Sequence, residues 1–221
     1  MKVCVLDAWV AGDAALANSH LVAQWSCKAL ERVGASVELI EADAVTRARV
    51  DAAFEDPGAE GFLYCGHGAE WCLFRGLDAS GGLVPLVDAE NVATVDGRWM
   101  HAFACLSGSA LREAAAASGV ACYAGYGVKV NVEWTDETLP DSLRPLLEAL
   151  TTLASVALAK GERSRGALRR AVRDASDALL AWWDQHPDEA DQLPPAEGMA
   201  LQHLASLLHR RLEIAGTAVV E

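Results

Sequence analysis

The sequence is poor in basic residues relative to acidic ones. Of its 221 residues, 18 are Lys or Arg and 31 are Asp or Glu, so the formal net charge is -13. Binding to nucleic acid depends on clustered basic side chains at the phosphates, so this balance argues against a nucleic-acid partner. The one dense basic segment, GERSRGALRRAVRD at residues 161–174, mixes acids among its arginines at helical spacing. That pattern is typical of a solvated helix face.

Long apolar runs are also lacking. No stretch of 18 or more apolar residues occurs, and the opening segment MKVCVLDAWVAGD has no basic region followed by a small-residue cleavage site. We therefore expect neither a membrane span nor secretion, and predict a cytoplasmic protein with no membrane partner. An apolar fraction of 52% is still ample for a buried core in a chain of this length.

Paired cysteine motifs and nucleotide-binding fingerprints are missing as well. The six cysteines include no C-x-x-C pair, and no G-x-G-x-x-G or P-loop motif occurs, so we expect free thiols and no cofactor. Cys4, Cys27 and Cys122 are interpreted as small core residues. Cys65, His67 and Cys72 have a C-x-H-x4-C spacing to which Cys105 could add a fourth zinc ligand. We favour no metal here, because no acid is apparent to orient these ligands.

The pattern along the chain predicts an α/β fold. Short β-branched runs alternate with Ala-rich helical segments through the first 127 residues, which is typical of a parallel sheet covered by helices. The sequence then predicts an α/β core over residues 1–140 and a helical section over 141–221, packed together as one domain. Strands are expected at 2–8, 35–42, 60–65, 98–105 and 120–127. Helices are expected at 19–34 with Asn18 or Ser19 as cap and Gly34 past the end, and at 44–55, 88–97, 109–119, 142–160, 163–185 and 195–213. The ending GTAVVE is left open between a sixth strand and a tail.

Two of the expected strands run directly into reactive side chains. The segment GFLYCGHG ends at His67 and Gly68, and WMHAFACLSGS places Cys105 after the next apolar strand. Reactive groups gather beyond the carboxyl ends of parallel strands, so we expect the two side chains to face each other. An imidazole can take the thiol's proton and return it to a leaving amine.

This arrangement also offers donors for an oxyanion. The backbone N–H groups of Gly68 and Cys105 are the candidates, since glycine permits close approach of the main chain. A helix expected to begin at Gly108 and Ser109 would favour a thiolate at Cys105 through its dipole.

The two motifs together resemble those of the caspase-like cysteine peptidases. YCGHG and FACLSGS are similar to the H-G and A-C-x-S-G signatures of a superfamily that includes caspases, legumain, clostripain, gingipain and CHAT-domain proteases. The resemblance covers about residues 1–137. It implies a three-layer sandwich with a mostly parallel central sheet flanked by helices, and a cysteine endopeptidase that forms a thioacyl intermediate. His67 would be the base and Cys105 the nucleophile. It further implies a protein or peptide substrate and a regulatory protein partner, in a regulated bacterial system.

Candidate substrate-binding residues follow from the resemblance. Members that cleave after Arg or Lys often carry an acid two residues before the cysteine, where this chain has Phe103, so a simple basic specificity loses support. Asp7, at the end of the first strand, is the nearest replacement acid. The segment YAGYGVKVNVEWTDE is similar to one that borders the substrate pocket in legumain-like members, which adds Tyr126, Glu133 and Asp136.

Other interpretations remain beside this one. A catalytically silent interaction or signalling module would use the same fold. Glutamine-amidotransferase-like hydrolases are disfavoured, because their histidine follows the nucleophile. His101, inside the fourth strand, is interpreted as a core or helix-packing histidine. Of the adjacent Trp182 and Trp183, one is expected to pack inward.

Overall fold

The computed structural model describes residues 1–77, 80–130, 134 and 136–221. Its strands are β1 (Lys2–Asp7), β2 (Ser36–Glu41), β3 (Ala59–Cys65), β4 (His67–Gly68), β5 (Leu73–Leu77), β6 (Leu83–Val87), β7 (Trp99–Phe103), β8 (Cys122–Tyr126) and β9 (Leu212–Ala215). Its helices are α1 (Ala14–Arg32), α2 (Arg47–Glu55), α3 (Ala89–Val92), α4 (Ala110–Ala117), α5 (Arg144–Ala159), α6 (Arg165–Gln185), α7 (Pro187–Ala190) and α8 (Pro195–Arg211).

A six-stranded sheet forms the centre of the molecule, in the order β2-β1-β3-β7-β8-β9. Every pairing is parallel except that of β9 with β8. All five residues of β7 and all five of β8 are buried, as expected for strands covered on both faces. One apolar cluster includes side chains of α1, α5, α6 and α8, and a second includes side chains of α2, α3 and α4. The predicted three-layer α/β sandwich is confirmed.

The first helix differs from its prediction at its start. It begins at Ala14, so the expectation that Asn18 or Ser19 caps it is wrong. Both residues are buried inside the helix, and Asn18 Nδ2 donates instead to the carbonyl of Trp134 at 2.8 Å. Tertiary packing thus uses a side chain whose type favours a cap. The end agrees with the prediction, since Gly34 follows the helix with a φ of 85° that glycine adopts without strain.

A second, three-stranded sheet was not anticipated. Strands β4, β5 and β6 pair antiparallel within residues 67–87, where the sequence predicted no strand. The register shifts twice between β5 and β6, so no regular two-residue alternation marks these strands. Tyr64, on β3, anchors the small sheet by donating its hydroxyl to the carbonyl of Phe74 at 2.7 Å. The expected helix after Asp88 begins as predicted, with a capping box between Asp88 and Asn91, but α3 ends at Val92 and a 3-10 turn follows at Ala93–Val95.

The C-terminal section packs helices against the sheet and then returns to it. The buried residues of α6 recur at helical spacing from Leu168 to Trp182, and Trp183 packs edge-on against Trp182 with ring centroids 5.2 Å apart. The prediction of a helix through residue 213 is wrong at its end, because Leu212 and Ile214 are buried in β9 against β8. Residues 216–221 follow β9, and Val220 forms a single bridge with Ser164. In the described parts of the chain, none of the helices combines the length and apolarity needed to cross a bilayer.

Candidate functional site

The two motifs lie side by side at the carboxyl edge of the main sheet. Strands β3 and β7 are parallel neighbours, and their last register pair joins Cys65 to Phe103. His67 lies two residues after Cys65, and Cys105 lies two residues after Phe103. The N–H of Gly66 lies 3.5 Å from the carbonyl of Phe103, so the backbones stay together past the strand ends.

Gly68 brings the two backbones into direct contact. A Cβ atom at this position would lie 2.2 Å from the carbonyl oxygen of Cys105 and 2.9 Å from the Cβ of Ala104. Any side chain would therefore push the histidine segment away from the cysteine segment. This close approach explains in physical terms why glycine follows His67.

His67 is held between an acid and an aromatic ring. Its Nε2 lies 2.8 Å from Oδ2 of Asp13, and its ring stacks on Phe74 at 5.3 Å between centroids with 15° between planes. When Asp13 accepts a hydrogen bond from Nε2–H, the basic nitrogen of the neutral imidazole is Nδ1. Asp13 lies between β1 and α1, 54 residues from His67, and nothing in its local sequence marked it.

The thiol of Cys105 is half-buried and donates to the carbonyl of Val130, with 3.6 Å between Sγ and O. Burial raises the pKa of this thiol above its ordinary value of 9.0, while the positive charge of Lys129 opposes that shift. Helix α4 begins at Ala110 with Ser109 as its N-cap residue, in agreement with the predicted start. The effect of its dipole on the thiol stays a prediction, and burial is the largest of the effects on this pKa.

The residues after Cys105 are fixed by hydrogen bonds to β8. The Ser107 hydroxyl contacts the carbonyl of Ala104 at 2.8 Å and accepts from the N–H of Tyr126 at 3.1 Å. Gly108 donates its N–H to the carbonyl of Tyr126 at 2.9 Å, and the Tyr123 hydroxyl donates to the carbonyl of Ser107 at 3.0 Å. The S-G pair of the motif therefore holds the loop that carries Cys105.

Asp7 occupies the same sheet edge but is fully buried. Its Oδ2 lies 2.5 Å from Nδ1 of His20, whose ring stacks on Trp9 with centroids 5.0 Å apart. Among the described residues, its buried Oδ1 has no hydrogen-bond donor. Burial raises the pKa of Asp7, and the bond to His20 opposes that shift. The partner His20 was not anticipated from the sequence.

The other predicted substrate-binding residues that the structure describes lie in two settings. Phe103 and Tyr126 are buried and pack edge-to-face with centroids 5.9 Å apart, so in this conformation they lie within the core behind the site. Asp136 forms an ion pair with Arg144. Glu133 lies outside the described residues.

His101 is confirmed as a core, helix-packing histidine. It is fully buried in β7, and its Nδ1 lies 2.7 Å from the hydroxyl of Ser155 on α5. Burial lowers the pKa of this imidazole from 6.5 to about 4, so the ring is neutral at physiological pH.

The remaining cysteines sit in apolar surroundings. Cys65 and Cys72 are buried, and burial raises the pKa of both thiols, that of Cys72 to about 11. Within the parts of the chain that the structure describes, no three His, Cys, Asp or Glu side chains are grouped so that they could hold a metal ion. Cys4 and Cys122 are buried as predicted, whereas Cys27 is half-buried.

The sheet order and the helices on both faces define the three-layer architecture of the caspase-like fold. The chain is similar to the solved structure of the Arg-specific cysteine proteinase gingipain R, with a TM-score of 0.54 and 13% sequence identity. The match covers 98% of this chain and 46% of that one, so this chain spans about half of the gingipain chain. No family model and no curated protein matches the sequence. At this identity the likeness shows the fold.

Proposed function

We propose that the protein is a cysteine endopeptidase in which Cys105 is the nucleophile and His67 the general base. The observation that carries the proposal is the contact between the two strand-end segments at Gly68 and Cys105. The likeness of the fold to a cysteine proteinase supports the same reaction class. Fold alone does not establish an activity, so the argument depends on these residues.

The reaction would proceed by acyl transfer. His67 takes the proton of the Cys105 thiol, and the sulfur attacks the carbonyl carbon of a peptide bond. The N–H groups of Gly68 and Cys105 are proposed to bind the oxyanion of the tetrahedral intermediate. When the intermediate collapses, the C–N bond breaks and His67 gives its proton to the leaving amine. Water, deprotonated by His67, then hydrolyses the thioester and regenerates the thiol.

Asp13 would position the histidine in this reaction. A carboxylate bound to one ring nitrogen fixes the tautomer and stabilises the imidazolium that forms when the other nitrogen accepts a proton. Phe74 restricts the ring further by stacking on it. The 2.8 Å contact between His67 and Asp13 supports this role.

The thiol is protonated before substrate binds. Because burial raises the pKa of Cys105, little thiolate exists near neutral pH, and the proton leaves through His67 during the attack. This favours a general-base mechanism over a preformed thiolate–imidazolium pair. The thiol would exchange its contact with Val130 for one with His67 when it reacts.

The finer parts of the proposal concern specificity and context. Asp7 is the proposed acid of the substrate pocket, with Phe103, Tyr126, Glu133 and Asp136 as further contacts. Direct binding by Asp7 would require its carboxylate to release His20 and to accept a hydrogen bond from the substrate instead. We further propose a cytoplasmic enzyme of a regulated bacterial system whose activity a partner protein controls.

The test is cleavage of a complex peptide library, followed by mass spectrometry of the products. We expect the wild-type protein to cleave and Cys105→Ala to leave the library intact. Cys27→Ala, at a half-buried thiol on α1, is the matched control and should retain activity. Equal cleavage by a folded Cys105→Ala protein would refute the mechanism, and an inert wild-type protein would refute an enzyme that is active without its partner.

A further inference from the structure

An arginine-lined cleft lies between the first turns of α4 and α6 and the edge strand β9. It has a volume of about 300 Å³, and Arg112, Arg165 and Arg169 line it together with Glu113 and Glu213. Arg165 and Arg169 belong to the basic segment that the sequence indicated to be a solvated helix face. Both side chains are instead half-buried, whereas Arg170 of the same segment is exposed.

Two of these guanidinium groups share one carboxylate oxygen. Oε2 of Glu213 lies 3.2 Å from Arg112 and 3.4 Å from Arg169. Arg169 is also fixed by the carbonyl of Leu212, which accepts from Nε at 3.2 Å and from Nη2 at 3.1 Å. Arg112 also donates from Nη2 to Oε1 of Glu113 at 3.3 Å. Since each guanidinium carries five N–H donors, these acceptors still leave donors available on both arginines.

Arg165 supplies a further donor. Among the described residues, its buried Nε–H has no acceptor, although Nη1 donates to Glu221 at 2.7 Å. An unpaired buried donor is uncommon and calls for an explanation. Arg165 is also the first residue of α6, where the helix dipole favours negative charge. Three arginines, one orphaned donor and a helix start therefore converge on one cleft in a strongly acidic protein.

We propose that this cleft binds a small anion that carries phosphate or carboxylate groups. The planar fork of arginine matches the oxygen geometry of both groups and binds them bidentately. The anion would accept from the Nη N–H groups that remain available on Arg112, Arg165 and Arg169, and a shift of the Arg165 side chain would bring its buried Nε–H within reach. The site adjoins the loop that carries Cys105, because a Cβ at Gly108 would lie 2.9 Å from the Cβ of Glu213.

Calorimetric titration of the whole protein with pyrophosphate and, separately, with citrate tests this site. Arg165→Gln should weaken binding by at least about tenfold, since it removes a charge-assisted donor. The matched control is Arg170→Gln, which removes the same charge from the same helix outside the cleft and should change the affinity less than about twofold. A thermal melt of each variant establishes that it is folded.

The outcomes of the titrations distinguish a phosphate ligand from a carboxylate ligand, and two of them would overturn the proposal. Binding of pyrophosphate alone supports a phosphate ligand, and binding of citrate alone supports a carboxylate ligand. Glu213→Gln should strengthen binding, because it removes a competing negative charge. No heat from either anion at millimolar concentration would overturn the proposal. Equal weakening by Arg165→Gln and Arg170→Gln would also overturn it. This binding assay does not depend on peptidase activity.

Discussion

His67 and Asp13 form an imidazole–carboxylate pair across 54 residues of sequence, with Nε2 2.8 Å from Oδ2. If this pair sets the tautomer of the base, Asp13→Asn should lower kcat by about 10- to 100-fold with little change in KM. We expect an effect smaller than that of a fully buried acid, because Asp13 is about one-third exposed. Steady-state kinetics across pH would measure it.

The control for Asp13 is Asp43→Asn, which alters a carboxylate that is almost fully exposed and pairs with Arg75. It should leave both kcat and its pH dependence unchanged. An Asp13→Asn enzyme with the wild-type rate and pH profile would remove Asp13 from the site.

Gly68→Ala should abolish the proposed peptidase activity. The new methyl group would lie 2.2 Å from the carbonyl oxygen of Cys105, so the segments that carry His67 and Cys105 must separate. We expect the activity to fall by at least about 100-fold and the free energy of unfolding to fall by about 1–3 kcal/mol. Peptide cleavage and urea denaturation would measure the two effects.

Gly76→Ala is the matched control for Gly68→Ala. Gly76 lies on β5, and an added Cβ there meets nothing within 4 Å. This variant should be fully active and stable. A fully active Gly68→Ala enzyme would show that the close approach of the two backbones is not needed.

Alkylation of Cys105 should be slow near neutral pH and accelerate into the alkaline range. Because burial raises the pKa of the thiol above 9.0, the thiolate fraction grows about tenfold per pH unit until the pH passes that raised value. Iodoacetamide labelling, mapped by mass spectrometry at each pH, would give the profile. A plateau below pH 8 would contradict a burial-dominated thiol. Cys27, whose pKa is raised to about 11, provides an internal comparison in the same digest.

His101 should make the protein sensitive to mild acid. Its pKa is about 4 in the folded protein and 6.5 when unfolded, so the unfolded state binds the extra proton between these values. The contribution of this pKa shift to the free energy of unfolding is fully present above pH 6.5 and is lost as the pH drops toward 4. It amounts to about 3 kcal/mol in total. His101→Gln removes the titrating imidazole, so the free energy of unfolding should depend less on pH between about 4 and 6.5.

The comparison for His101→Gln is His203→Gln, at an exposed histidine on α8. That variant should keep the wild-type pH dependence. An unchanged slope in His101→Gln would show that the buried imidazole does not titrate as proposed.

The sequence predicted the main sheet and the position of the two motifs because continuous apolar strands are a strong local signal. The end of β3 at Cys65 and of β7 at Phe103 placed His67 and Cys105 at one edge. The helix-packing role of His101 was also correct. These features depend on residues close together in sequence.

The missed features depend on long-range contacts. Asp13 and His20 acquire partners only when α1 packs beside the sheet edge, and no local pattern distinguishes them from solvated loop or helix residues. The small sheet was missed because shifts of register interrupt the alternation of inward-facing and outward-facing residues along β5 and β6. The helix start at Ala14 was missed because tertiary contacts outweigh the capping preference of Asn18.

The most direct test of the central claim is covalent capture by peptidyl acyloxymethyl ketones with varied residues at the cleavage position, with the modified residue mapped by mass spectrometry. We predict a single adduct on Cys105 in the wild-type protein. Without its general base, His67→Ala should form that adduct at least about 100-fold more slowly. An adduct on another residue would contradict a peptidase built on these two side chains, as would equally fast labelling of Cys105 without His67.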